Sequence, residues 1–135
     1  GEFVAFKGPN PTMVRVKETN RGTVRFVNCA FWGPCDQIAR IAGQGTVGFS
    51  DCTFCQWDGR DKGLSAIQAS GGTILVRGCE FQRDKPHIAL GHATRCAVVT
   101  GNVFRGLVQV KNESEGNVQI SANADSPAPP RKRDQ

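Results

Sequence analysis

At 135 residues, the chain has material for one domain with a single core, and it has no run of about 18 apolar residues that could cross a membrane as a helix. Its 16 glycines and an apolar set dominated by Val, Ile and Phe point to strands rather than helices. The net charge of +5, part of it in PPRKRDQ, suits a solvated surface, an acidic polysaccharide or nucleic acid, and the opening GEFVAFKGP lacks the basic start and apolar run of a signal peptide.

In chain order, short apolar alternations of period two recur, each placing a pair of side chains on one face of a strand. The first kind is Val14/Val16, then Ala39/Ile41, Ile67/Ala69, Ile88/Leu90 and Val108/Val110. The second kind follows each of these: Val24/Phe26, Val47/Phe49, Ile74/Val76, Ala97/Val99 and Val118/Ile120. A third short segment closes each unit and ends on a phenylalanine: Phe6, Phe31, Phe54, Phe81 and Phe104, spaced by 25, 23, 27 and 23 residues. Three copies read almost as one phrase, GTVRFVNCAF, GTVGFSDCTF and GTILVRGCEF. A fixed period in the twenties marks a solenoid, in which stacked coils bury the face that one coil cannot bury alone. The expected architecture is an all-β parallel β-helix of about five coils over residues 1–125. A flexible Pro/basic tail over 126–135 would be too polar to pack.

The phrase V-x-I-x-x-N-x-F, here VVTGNVF at 98–104, resembles the right-handed parallel β-helix repeat of the pectate-lyase-like superfamily, and the resemblance runs from residue 3 to about 124. In that family an Asn often fills the turn between the second and third strands and stacks on its counterpart in the next coil. The resemblance puts Phe3, Cys29, Cys52, Cys79, Asn102 and Asn123 at this position, and makes the cysteines a buried thiol ladder standing in for asparagine. Stacked side chains at strand spacing lie further apart than a disulfide prefers, and ligands on a single line do not form a metal tetrahedron. No metal or other cofactor is therefore expected. A Cys35–Cys55 disulfide between neighbouring loops stays open, and Cys96 stands with Thr23, Thr46 and Thr73 at an outward position.

The resemblance also implies a groove along the outside of the first strand of each coil. The outward positions there are Arg15, Arg40, Gln68, Ala89 and Gln109, with Lys17 and Lys111 nearby. The preceding loops, 32–37, 55–63, 82–87 and 105–106, would stack on one side and bring together Trp57, Asp58, Arg60, Asp61, Arg83, Asp84 and His87. An exposed indole covers the apolar face of a pyranose while planar polar groups bond its hydroxyls. Trp57 is read equally well as such a platform or as a cover over the coil edge, and Trp32, beside a ladder Phe, as a cover. Asp58, Asp61 and Asp84, with Arg40 as a lyase-type base, are the catalytic candidates. The paired acidic signatures of hydrolases and the acidic strand of calcium-dependent lyases are missing.

The leading expectation is a non-catalytic module of a secreted or surface polysaccharide-acting protein, binding sugar or supporting a catalytic region. The alternatives are a small polysaccharide lyase or glycoside hydrolase, and a structural shaft or adhesin of the phage-fibre kind. Because the first coil begins without a cap, its edge is expected to meet a preceding part of a longer chain or another subunit. Nucleic acid is disfavoured, since aromatic and basic residues do not interleave along one face.

Overall fold

The computed structural model describes residues 1–5 and 10–127. The described chain forms fourteen strands: β1 (Glu2–Val4), β2 (Thr12–Val16), β3 (Thr23–Val27), β4 (Ala30–Trp32), β5 (Gln37–Ile41), β6 (Thr46–Ser50), β7 (Thr53–Phe54), β8 (Ile67–Arg77), β9 (Glu80–Phe81), β10 (Ile88–Thr100), β11 (Val103–Arg105), β12 (Val110–Asn112), β13 (Asn117–Ser121) and β14 (Ala124–Ser126). All pairing between these strands is parallel, and the chain winds as a β-helix of about five turns. One face is the six-stranded sheet β1-β4-β7-β9-β11-β14. The other two faces are fused, because β8 and β10 run through the corner that separates β2 from β3 and β5 from β6. No described residue lies in a helix, so no helix is long and apolar enough to cross a membrane.

The period-two pairs specify the register, since a slip of one residue would turn every inward side chain outward. Val24/Phe26, Val47/Phe49, Ile74/Val76, Ala97/Val99 and Val118/Ile120 align coil on coil as the sequence pattern predicts. So do Val14/Val16, Ala39/Ile41, Ile67/Ala69 and Ile88/Leu90. The last copy differs by two residues: Val110 and Asn112, not Val108 and Val110, stand beside Ile88 and Leu90. Lys111 therefore takes the outward place expected for Gln109.

Inside, Phe3, Phe31, Phe54, Phe81 and Phe104 form a column of stacked rings with centroids 4.8, 5.1, 4.4 and 4.7 Å apart. Phe26 and Phe49 stack on each other at 5.1 Å and meet the column edge-on. Such ring pairs contribute about 0.5–1.5 kcal/mol each beyond the area they bury. The first coil corrects the expected register. Phe3 pairs with Phe31 and so takes the column place assigned to Phe6. Phe6 itself lies outside the described residues. At the other end β14 carries pairing through Ser126, one residue beyond the expected boundary, and residues 128–135 of the tail lie outside the described residues.

Each turn from the second face to the third is made by one residue with left-handed backbone. Asn28, Asp51, Gly78, Gly101 and Ala122 have φ of 51, 54, 65, 69 and 57°. A single left-handed residue bends the chain sharply, and Gly, Asn and Asp enter that region most readily. The next residue is Cys29, Cys52, Cys79, Asn102 or Asn123. At four of these positions the side chain donates to a carbonyl one coil back: Cys52 Sγ to Phe26, Cys79 Sγ to Phe49, Asn102 Nδ2 to Val76 and Asn123 Nδ2 to Val99, at 3.3, 3.5, 3.0 and 3.1 Å. The thiols thus supply the donor half of what asparagine does here. All six cysteines are free, Cys35 and Cys55 among them.

Candidate functional site

The loops between third and first faces, at 33–36, 55–66, 82–87 and 106–109, follow β4, β7, β9 and β11 and hang on one edge of the solenoid. The longest is built around Asp58, which is 3% exposed. Its carboxylate accepts the backbone N–H groups of Lys62 at 2.8 Å and Gly63 at 3.0 Å, closing the turn DGRDKG. The Asp58 carbonyl accepts from Lys85, whose ammonium also pairs with Asp61 at 3.0 Å. Arg60 reaches the loop below, donating through Nε to Asp36 at 3.0 Å and pairing with it through Nη2. That guanidinium, with Lys62 nearby, holds the Asp36 carboxyl below the usual carboxylate range.

Trp57 and His87 are interior residues. The indole of Trp57, 2% exposed, meets Phe81 edge-on at 6.1 Å and donates Nε1–H to the Pro86 carbonyl at 2.8 Å. His87 is fully buried against Phe104, Phe81 and Trp57, with centroids 4.7, 5.6 and 5.9 Å away. Its Nδ1 accepts the Gln109 N–H at 3.1 Å, which leaves Nε2 to donate to the Arg83 carbonyl at 2.9 Å. This is the neutral tautomer, and burial pushes its pKa down.

The side chains grouped by sequence therefore separate. Trp57, Asp58 and His87 do not face a ligand: burial and the hydrogen bonds of the loop bases turn them into scaffold. Arg60 and Asp61 are tied in ion pairs at the rim. Arg40 and Gln68 are register partners on the first face, in the outward row Arg15, Arg40, Gln68, Ala89 and Lys111, away from the loop groove. Gln68 is further engaged by Gln37, which donates to it at 2.8 Å. Of the set, Trp57 contributes, with Arg83, to the lining of a smaller cavity, and Arg83 and Asp84 line the larger one beside it.

That cavity, about 390 Å³, lies where the third face gives way to the loops. Its floor is the row Trp32, Cys55, Gln82 and Arg105, and its wall is Gln56, Arg83 and Asp84. The row is set by register, since Cys55 and Gln82 donate their amides to the carbonyls of Phe31 and Phe54, both at 2.9 Å. Trp32 ends β4, is 45% exposed, and so is the open indole; the cover role expected for it belongs to Trp57. A second cavity of about 240 Å³, with Pro34, Gly59 and Lys85, shares Gln56 and Arg83 with the first. Asp84 accepts from Gln109 Nε2 at 3.2 Å and sits over Gly106, where an added Cβ would lie 2.1 Å from Oδ1.

Two nearby thiols are poor nucleophiles. Burial beside Asp36 pushes Cys35 up to about 11, and burial raises Cys55 as well. Cys52-Thr53-Phe54-Cys55 has a C-x-x-C spacing, but in extended chain its ends face apart: Cys52 bonds inward to Phe26 while Cys55 lines the cavity. Among the described residues no group of three or more His, Cys, Asp or Glu side chains is arranged to hold a metal ion.

The fold defines a parallel β-helix with a polar groove along its loop edge. Comparison of the chain with protein-family models, curated proteins and solved structures finds no match.

Proposed function

We propose that the protein is a non-catalytic, saccharide-binding β-helix module of a secreted or surface polysaccharide-acting protein. The observation that carries this reading is the exposed Trp32 in the floor of a groove otherwise lined by Cys55, Gln56, Gln82, Arg83, Asp84 and Arg105. An aromatic face beside planar amide and guanidinium donors is the composition that sugar rings require. A hydrolytic or eliminative centre is less well supported. Asp58 is committed to its own loop, Asp61 is paired with Lys85, and Arg40 lies on another face, so Asp84 is the single carboxylate lining the groove. Titration of the protein with neutral and acidic oligosaccharides, followed by Trp fluorescence, tests the reading. Binding lost in Trp32→Ala and kept in Trp57→Phe supports it; no binding by any oligosaccharide ends it.

A second reading, structural support through end-on contact, has its own observation. Phe3, Met13, Val24 and Phe26 at one end of the solenoid, and Val110 and Val118 at the other, are core side chains left half-buried. Sedimentation at high concentration separates the two: a species that stays monomeric removes self-association as the function.

A further inference from the structure

Arg83 and Arg105 are the two cations of the Trp32 groove, and neither forms a salt bridge among the described residues. This sets them apart from Arg60 and Lys85, which the same loops neutralise with Asp36 and Asp61. Arg83 spends Nε on the Cys55 carbonyl at 3.3 Å, leaving its terminal nitrogens for another acceptor. The Nε of Arg105 is shut off from water and has no hydrogen-bond partner, a state that burial makes unfavourable. The groove's own carboxylate, Asp84, is turned to Gln109 and seated over Gly106.

Resting on the saccharide reading above, we propose that this groove selects acidic sugars, with the carboxylate or sulfate group of one residue held between Arg83 and Arg105 while Trp32 stacks on a ring. Guanidinium groups match the planar oxygens of both anions with paired hydrogen bonds. The assignment places recognition on the loop edge and third face rather than on the Arg15–Arg40–Gln68 row of the first face. The anion accounts for the two unneutralised guanidinium groups, and the ring contact accounts for an indole left open to water.

The test is calorimetric titration of the full chain with three probes: an oligogalacturonate, a sulfated dextran oligosaccharide and a neutral dextran oligosaccharide. The acidic probes are expected to bind at least about tenfold more tightly than the neutral one, and the order of the first two tells carboxylate from sulfate. Arg83→Gln with Arg105→Gln is expected to erase that preference. Arg25→Gln with Arg77→Gln, which removes the same charge from the second face, is expected to keep it. Should the Arg105→Gln variant fail to fold, Arg83→Gln alone and Arg105→Lys serve instead, each expected to weaken acidic binding several-fold. Equal binding of acidic and neutral probes overturns this assignment and leaves the saccharide site standing. Equal losses from the groove pair and the second-face pair overturn it as well, by reducing the preference to net charge. Absence of binding by all three probes removes the saccharide reading itself, and the anion assignment with it.

Discussion

Asn102 completes the hydrogen bonding of Cys79 one coil away: its side-chain carbonyl accepts the Cys79 amide hydrogen at 2.8 Å, while its own amide reaches the Val76 carbonyl at 3.0 Å. At 1% exposure no water can take over either bond. Asn102→Ala would orphan a buried donor and a buried acceptor and is expected to cost about 2–4 kcal/mol. Asn102→Cys keeps a donor for Val76 and is expected to cost less. Urea unfolding of the three proteins checks the order; equal losses for Ala and Cys would show that the donor bond is immaterial.

The left-handed corners make a prediction at the one place where the residue type disagrees with the backbone. Ala122 holds φ 57° where Asn, Asp or Gly stand in the other coils. An L-residue with a Cβ in this region is strained by roughly 1–2 kcal/mol. Part of that is offset by the larger freedom glycine gives the unfolded chain. Ala122→Gly is therefore expected to raise stability by about 0.5–1 kcal/mol, read as a shift in the unfolding midpoint at constant slope.

The two tryptophans are expected to respond in opposite ways. Trp57→Ala removes a buried ring and the Pro86 bond and should cost about 3–5 kcal/mol, with saccharide affinity intact in whatever fraction stays folded. Trp32→Ala touches little and should fall within about 0.5 kcal/mol of the parent, with affinity lost. Iodide quenching of the single-Trp variants gives an independent check: emission from Trp32 is quenched, emission from Trp57 is not.

His87 gives stability a pH dependence in a window of its own. Its folded pKa lies below the ordinary value of 6.5, so the unfolded chain binds the extra proton. The stability it contributes is present above pH 6.5 and is lost as pH falls below it, with a slope of up to about 1.4 kcal/mol per pH unit. Asp36, whose pKa is lowered from 3.8, acts only in a more acid range. His87→Gln is expected to flatten the stability profile below about pH 6.5. A profile as steep as the parent's would assign the slope to another group.

Gly106 and Asp84 are coupled by space. With φ 73° and a Cβ that would lie 2.1 Å from Asp84 Oδ1, Gly106→Ala must both strain the loop and displace the carboxylate. The double variant with Asp84→Ala removes the collision and keeps the strain. The expected result is a destabilisation smaller than the sum of the single changes by about 0.5 kcal/mol or more, measured as a double-mutant cycle.

How far the sequence could be read depended on how local the cause was. The inward pairs from Val24/Phe26 to Val118/Ile120 were legible because alternation is a property of neighbouring residues. The outer coils were less so. The regular spacing of phenylalanines drew Phe6 into register with Phe31, whereas backbone pairing aligns Phe3, and the connection before β12 shifts the last inward pair by two residues. A left-handed corner was also written in the chain as Asn28, Asp51, Gly78 and Gly101, a signal that the cysteine after the first three obscured. The fates of Trp32 and Trp57 were not legible, because the acceptor for Trp57 is the Pro86 carbonyl of the next coil. Nor could the sequence reveal that Asp58 closes its own turn while Asp84 lines a groove, since both are loop aspartates with basic neighbours.

The column of Phe3, Phe31, Phe54, Phe81 and Phe104 is carried by the third face, and the Trp32 groove is walled in large part by the loops that leave it. Coil number and the make-up of the groove wall are therefore separable inheritances. Duplication of a coil lengthens the column without redrawing the loops already present, and substitutions at Gln56, Arg83 or Asp84 redraw the groove wall without replacing a side chain packed on a ring, unlike changes at Trp57 or His87. A lineage built on such a chain can change its length and the wall of its groove by independent steps.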